Sequence, residues 1–277
     1  MSARTGHGSL VTFTGLAIAG AGLVAASAYF GLIHGLPSAW TMVAGTGLMA
    51  AGLIISLGHL GQMRRAALAA RGAGRSALSN EALLAALALG AAAMAAAVGL
   101  SGSNAPLAVA AAGAANAAFL VSIGLVYRLP GQLTWQGFSA VTPLTAGLAF
   151  GAVAVQTTVA NGDVYLATLL FIGIDALLFS QRWRETAGIA FTERMLADPW
   201  HARRTQLLAA RFFLLDVVPF FLCVGALSPV ALPVAATGLA LDRFGFYALA
   251  LQHTTEHEIE EVEAHIAAAD RSPQGQA

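Results

Sequence analysis

A histidine and a glutamate mark the two ends of a polar stretch that separates two long apolar runs. These residues are His59 and Glu81, and the stretch between them contains Arg64, Arg65, Arg71 and Arg75. Histidine titrates near neutral pH, and a glutamate partly withdrawn from water can also carry protons. Such a pair is suited to a quinone, whose two carbonyls take up protons on reduction. The structural alternative makes His59 an interfacial residue and Glu81 a favourable helix N-terminal residue that follows Ser79 and Asn80 as caps.

Further charges lie inside apolar runs. They are Asp175, Asp216 and the adjacent pair Asp242–Arg243, with Arg211 near the start of another run. Charged side chains are costly in lipid and usually face the interior of a helix bundle. We expect structural ion pairing of these groups, with Arg211 either joining one of the acids or extending to the surface. An intramembrane relay in a secondary transporter is the functional alternative.

The sequence gives little support for a haem or a metal site. The histidines all fall at expected helix ends, in loops or in the tails, so we expect no haem, which needs axial ligands within facing helices. The stretch His253–His257, HTTEH, has the pattern of an inverted zinc-peptidase motif. Only a short stretch follows it, whereas such sites take a further ligand well downstream. The single cysteine, Cys223, excludes an iron–sulfur cluster or thiolate zinc site built by this chain alone.

The composition is that of a membrane protein. Of 277 residues, 57% are hydrophobic and only 10% are charged, whereas soluble domains carry roughly 25% charged residues. The mean hydropathy is +0.72. We therefore expect a lipid bilayer, and no nucleic acid, as partner.

The apolar runs predict about eight transmembrane helices, since a span needs roughly 20 mostly apolar residues. Glycine, proline and asparagine mark the breaks. The first run is longer than the apolar part of a signal peptide, so we expect it to be retained. The fold class predicted is an all-α integral membrane protein, with two four-helix bundles in tandem as a further hypothesis. The expected spans are 10–32, 39–58, 80–100, 106–127, 137–159, 164–181, 207–228 and 230–251. The transmembrane domain then covers 1–252, and 253–277 is an acidic cytoplasmic extension.

Arginine distribution predicts the orientation. The connections expected after the second, fourth and sixth helices carry arginines, including Arg128, Arg182 and Arg184, whereas the odd-numbered connections carry none. The positive-inside rule then places the basic connections and both termini in the cytoplasm. The predicted location is the inner membrane of a bacterium, crossed many times.

Three blocks of the sequence resemble the DmsC family, the membrane anchors of dimethyl sulfoxide reductase, which belong with the NrfD-like anchors of complex iron–sulfur molybdoenzymes. The first block, HLG-x-MRRA followed by SALSNE, contains His59, Arg64, Arg65 and Glu81. The second, VYRLP…TW…TP, contains Tyr127, Arg128, Trp135 and Thr142-Pro143. A weaker third block has Arg243 followed by Phe246 and Tyr247.

The resemblance implies a concrete function. Such anchors have eight helices, bind ubiquinone or menaquinone, and contain no haem or metal of their own. They exchange electrons with a ferredoxin-like four-cluster iron–sulfur subunit that serves a molybdenum- or tungsten-pterin catalytic subunit, so iron–sulfur clusters and molybdopterin belong to partners. The family's quinone-site residues correspond to His59 and Glu81. Positions Arg64, Arg65, Tyr127, Arg128 and Trp135 would position quinone or partner.

Two features depart from the family pattern and bear on the direction of electron flow. The basic sixth connection and the acidic extension indicate a different set of partners, and a cytoplasmic docking face requires a cytoplasmic substrate. Related anchors serve oxidation of phenylacetyl-CoA or sulfite, which favours quinone reduction. Quinol oxidation, as in a dimethyl sulfoxide-type reductase, remains an alternative, as do a secondary transporter and an anchor with no redox role.

Overall fold

The computed structural model describes residues 6–35, 39–59, 76–103, 105–126, 137–159, 162–188, 199–225 and 227–249. These residues are helical throughout, with short turns between helices and no strand among them. The long helices are α1 (Gly6–His34), α2 (Ala39–His59), α3 (Ala77–Leu100), α4 (Pro106–Val126), α5 (Thr142–Thr158), α6 (Gly162–Ala187), α7 (Arg204–Val224) and α8 (Ser228–Ala248). A 3-10 helix, Gly137–Ala140, precedes α5, and a single helical turn, Pro199–Ala202, precedes α7.

Every apolar run singled out in the sequence coincides with one of these helices. Among the described residues, six helices are long and apolar enough to cross a membrane: α1, α2, α3, α4, α6 and α7. Of the other two, α5 has only 17 residues and α8 contains the Asp242–Arg243 pair. The all-α membrane fold is thus supported, whereas the number of eight spans stays a prediction.

Several predicted helix boundaries were wrong, and the errors at the end of the sixth helix and at the start of the third bear on named residues. The sixth run was expected to end at 181, but α6 continues to Ala187, so Arg182 and Arg184 lie in the helix and not in a connection. The third was expected to start at 80 with Ser79 and Asn80 as caps, but α3 begins at Ala77. Its N-cap is Ser76, whose hydroxyl accepts a hydrogen bond from the Ser79 N–H at 3.1 Å.

Helix α1 is the central element. Of its apolar window, 72% is buried, against 28–39% for the other five candidate spans. Glycines permit this packing, because a Cβ at Gly22 would collide with the backbone of Gly147 on α5, and one at Gly151 with that of Gly22. Helix α1 therefore crosses α5 at backbone contact, where only glycine fits.

The eight helices pack in two groups of four. Helices α1 to α4 pack each on the next, and α4 returns to α1. Helices α5 to α8 do the same, and α8 returns to α5. Because α1 also packs on α5 and α8, the two groups share one interior.

A π-helical turn interrupts α7 at Phe213–Val217, where the N–H of Val218 bonds to the carbonyl of Phe213. Pro219 follows directly. Proline has no N–H to donate, and its ring clashes with the carbonyl four residues earlier in an α-helix. The wider turn gives that carbonyl room, and such turns frequently occur at functional sites.

Candidate functional site

A buried charge network links α6, α7 and α8, with Arg211 at its centre. One terminal nitrogen, Nη2, donates to Oδ2 of Asp175 on α6 at 2.6 Å, and Nη1 donates to Oδ2 of Asp216 on α7 at 2.6 Å. The third donor, Nε, reaches Oδ1 of Asp242 on α8 at 3.1 Å. Arg211 is 1% exposed and Asp175 is fully buried. One guanidinium therefore ties three helices together, using its fixed fork of donors.

Asp242 accepts hydrogen bonds from two further arginines. Nη1 of Arg182 donates to its Oδ1 at 3.3 Å, and Nε of Arg243 donates to its Oδ2 at 2.8 Å. Nη2 of Arg243 is hydrogen-bonded to the same oxygen. In this network three guanidinium groups meet three carboxyl groups, so the charges balance in number. Such balance is what makes buried ions tolerable in a membrane interior.

Aromatic rings enclose the same arginines. The guanidinium carbon of Arg211 lies 3.9 Å from the centroid of the Phe179 ring. Arg182 and Arg243 lie 5.5 Å and 5.0 Å from the centroid of Phe246. Both rings are buried. The ring faces therefore supplement the carboxylates in compensating the cations.

The network keeps some hydrogen-bonding capacity. Among the described residues, Oδ1 of Asp216, Nε of Arg182 and Nη1 of Arg243 are buried atoms with no hydrogen-bond partner. Both oxygens of Asp175 are hydrogen-bonded, since its Oδ1 accepts from the hydroxyl of Thr145 on α5 and its Oδ2 from Arg211.

All four charged residues predicted to lie inside the membrane thus belong to this network, and Arg211 joins the acids. Arg182 was missed, because it was assigned to a connection. Its spacing from Asp175 was the available signal, since residues seven apart on a helix share a face. Arg211 and Asp216 are five apart, and the π-helical turn between them brings them together. Tyr247, also singled out, is buried on α8 and packs edge-on against Phe246.

Glu81 is buried on α3. It is 7% exposed, and the described residues place no charged or hydrogen-bonding partner on its carboxyl. The start of α3 at Ala77 puts Glu81 beyond the first turn, so the N–H groups that lack helical partners do not reach it. The structural reading of Glu81 as a helix N-terminal residue is therefore weakened.

The rest of the predicted quinone site falls largely outside the described residues. His59 is the last residue of α2, which packs against α3, but nothing is described of its side chain. Arg64, Arg65, Tyr127, Arg128, Trp135 and the extension 253–277 lie outside the described residues. At this site the structure describes one buried carboxyl, that of Glu81. It lies one turn from the start of α3, the helix that follows α2 in the chain.

An apolar groove of about 740 Å³ lies between α4, the 3-10 helix, α5 and α6. Its lining includes Val121 and Leu125 of α4, Phe138 of the 3-10 helix, and Leu144, Thr145 and Ile174. Glu185 of α6 holds the rim in place, because its Oε2 accepts a hydrogen bond from the backbone N–H of Phe138 at 3.1 Å. Thr145 connects the groove to the charge network through Asp175.

Comparison of the chain with protein-family models, with curated proteins and with solved structures finds no match.

Proposed function

We propose that this chain is the quinone-reactive membrane anchor of an iron–sulfur oxidoreductase. It exchanges electrons between the membrane quinone pool and an iron–sulfur subunit, which in turn serves a molybdenum- or tungsten-pterin catalytic subunit. The observation that carries the proposal is Glu81, a carboxyl buried among apolar helices one turn inside α3. A carboxyl withdrawn from water, with no ion-pair partner among the described residues, is suited to exchanging protons.

His59 completes the proposed proton-exchanging pair. It ends the helix that packs against α3, and the sequence around both residues resembles the first DmsC block. Arg64, Arg65, Tyr127, Arg128 and Trp135 position the quinone or the iron–sulfur subunit. The chain has eight spans in the cytoplasmic membrane, with both termini and the basic connections in the cytoplasm.

The complex reduces quinone with electrons from a cytoplasmic substrate such as phenylacetyl-CoA or sulfite. The predicted cytoplasmic position of the basic connections supports this direction, since the catalytic module would then meet cytoplasmic substrates. In the alternative, the anchor oxidises quinol for a dimethyl sulfoxide-type reductase.

The test replaces Glu81 by glutamine in the assembled complex. We expect Glu81→Gln to lower quinone-linked turnover on the order of 100-fold, because general acid–base catalysis contributes about that much. Turnover with an artificial dye, which bypasses the quinone, should stay unchanged, and so should the amount of assembled complex. His59→Ala should behave in the same way.

Asp163→Asn is the matched control, since it also converts a carboxyl to an amide but at an exposed position in the first turn of α6. It should leave both activities intact. Unchanged quinone kinetics in Glu81→Gln and His59→Ala would contradict the proposal. Equal loss of dye activity would assign both residues to assembly and not to quinone chemistry.

A secondary transporter is the second candidate, and the buried network favours it. Asp216 lies on a π-helical turn with one carboxylate oxygen unpartnered among the described residues. A transporter predicts substrate flux by the purified chain alone in liposomes, lost in Asp216→Asn. The anchor predicts co-purification of iron–sulfur and pterin subunits in mild detergent. An anchor without redox function predicts those partners but no bound quinone and no response to quinone-site inhibitors.

A further inference from the structure

The groove between α4, α5 and α6 offers a ligand an almost wholly apolar surface. In the described part of the chain, Thr145 is the one lining residue with a polar side chain. Its hydroxyl donates to Oδ1 of Asp175, so its single proton is already used. A polar group placed in the groove would lose hydrogen bonds to water without replacing them. The groove is therefore suited to a hydrocarbon chain.

The groove follows the direction of the helices and is open to the bilayer. Its lining on α6 consists of Phe171, Ile174 and Leu178, which share one face and span roughly 10 Å along the helix axis. The rim residues Leu125 and Ile174 are 48% and 40% exposed, although both are apolar. Because α4 and α6 are long and apolar enough to cross a membrane, this exposed side faces lipid. Acyl chains extend across the membrane in the same direction as such helices, so one can lie along the groove.

A carboxylate lies at one end of the groove. Glu185 follows Leu178 by seven residues, which puts it on the same face of α6, in the last turn of the helix. Its Oε2 accepts a hydrogen bond from the backbone N–H of Phe138 at 3.1 Å, and a Cβ at Gly137 would lie 2.5 Å from both carboxylate oxygens. Gly137 and Phe138 themselves line the groove. The charge of Glu185 is therefore held against the groove wall.

Glu185 keeps the capacity to bind a cation. Its side chain is exposed, and no arginine or histidine of the described residues forms a salt bridge with it. A carboxylate has about four lone-pair sites, of which the N–H of Phe138 uses one. The preceding residue, Arg184, is also exposed and provides a cation suited to phosphate. The groove thus ends at an anion and a cation that match the two charges of a zwitterionic headgroup.

We propose that the groove binds an acyl chain of a phospholipid whose primary ammonium headgroup donates to Glu185, as in phosphatidylethanolamine. A primary ammonium has three N–H donors. The choline of phosphatidylcholine has no N–H, and phosphatidylglycerol has no positive charge. Glu185 therefore distinguishes lipids that share the same acyl chains and the same phosphate. The inference requires a membrane around the chain and does not depend on the proposed electron transfer.

The test titrates the delipidated full chain in detergent with the dioleoyl forms of phosphatidylethanolamine, phosphatidylcholine and phosphatidylglycerol, and measures bound lipid by native mass spectrometry. We expect phosphatidylethanolamine to bind roughly fivefold more tightly than the other two, the upper range for an ion pair at an exposed site. Glu185→Gln keeps an acceptor for the N–H of Phe138 but removes the charge. It should lower the affinity for phosphatidylethanolamine to that for phosphatidylcholine. Asp163→Asn, in the first turn of α6, is the matched control and should keep the preference.

A second pair of variants tests the groove itself. Ile174→Trp places a large ring at the rim and should remove the tightest binding event for all three lipids, because they share the acyl chain. Leu87→Trp introduces the same ring on α3, at a position that is 55% exposed and does not line the groove. It should leave all three affinities unchanged.

Equal affinities for the three lipids would show boundary lipid without headgroup selection and would overturn the proposal, as would tighter binding of phosphatidylglycerol. A preference that persists in Glu185→Gln, or tight binding retained in Ile174→Trp, would also overturn it. None of these measurements involves a quinone. Failure here is therefore distinguishable from failure of the turnover test on Glu81→Gln.

Discussion

Arg211 is the residue on which the buried network depends most. Its three donors serve carboxylates on three helices, and Phe179 covers its face. Burying ions is costly, and removing one partner leaves the other charges uncompensated, which costs about 3–5 kcal/mol. A lysine has a single charged nitrogen and cannot reproduce the planar fork.

We therefore predict that Arg211→Met lowers the free energy of unfolding by about 3–5 kcal/mol. Arg211→Lys should recover only part of this loss. Arg203, exposed in the turn before α7, provides the matched control as Arg203→Gln, with no measurable change. The measurement is the thermal unfolding midpoint of the purified chain in detergent.

Adding Asp175→Asn to Arg211→Met tests the same charge compensation. The second substitution removes one of the carboxylates that Arg211→Met leaves without a cation, so the double variant should be more stable than Arg211→Met alone. A double variant that loses the sum of both single effects would argue against charge compensation as the function of Arg211.

At the scale of elements, the crossing of α1 and α5 sets the distance between the two groups of helices. The crossing is formed by Gly22 against Gly147 and Gly151, at backbone contact. A methyl group here meets backbone atoms, which cannot rotate away as a side chain can. The same crossing places Thr145, two residues before Gly147, between the groove and Asp175.

We predict that Gly22→Ala destabilises the chain by about 3 kcal/mol or prevents its accumulation, since overpacking costs about 1–3 kcal/mol even where side chains can adjust. Gly90 on α3 is the matched control, because a Cβ there has no atom within 4 Å. Gly90→Ala should be neutral or stabilise by up to about 1 kcal/mol. The amount of protein in membranes and the thermal midpoint measure both. Similar behaviour of the two variants would contradict close packing at the crossing.

For the whole molecule, the arginine distribution still predicts the same orientation after the helix boundaries are corrected. Placing Arg182 and Arg184 in α6 removes two charges from the sixth connection and Arg204 begins α7, but Arg194 and Arg203 remain between α6 and α7. Arg64, Arg65, Arg71 and Arg75 all lie between α2 and α3. The odd-numbered connections still contain no arginine, so the predicted direction is unchanged.

Cysteine labelling tests this orientation with little background, because the one native cysteine, Cys223, is 1% exposed. We predict that Ser103→Cys, after α3, reacts with a membrane-impermeant maleimide in intact cells. Arg71→Cys, between α2 and α3, should react only after permeabilisation. The reverse labelling pattern would show that the chain has the opposite orientation, with the proposed docking face outside the cytoplasm.

The sequence by itself determined where the helices lie and that they suit a membrane. Long apolar runs separated by glycine, proline and asparagine are local signals, and the structure places a helix on each of them. The exact helix ends depend on smaller local differences in free energy between helix and turn. For this reason the sequence did not predict that Ser76, and not Ser79, caps α3, or that α6 extends past Arg182.

Only the tertiary structure decided which charges meet. Asp175, Arg211 and Asp242 are more than 30 residues apart in succession, and no periodicity within one helix relates them. Their meeting depends on how α6, α7 and α8 pack, and on the π-helical turn that brings Asp216 onto the face of Arg211. The hydroxyl of Thr145 likewise donates to Asp175, a partner on another helix. Apolarity is a property of each segment, whereas ion-pair geometry is a property of their packing.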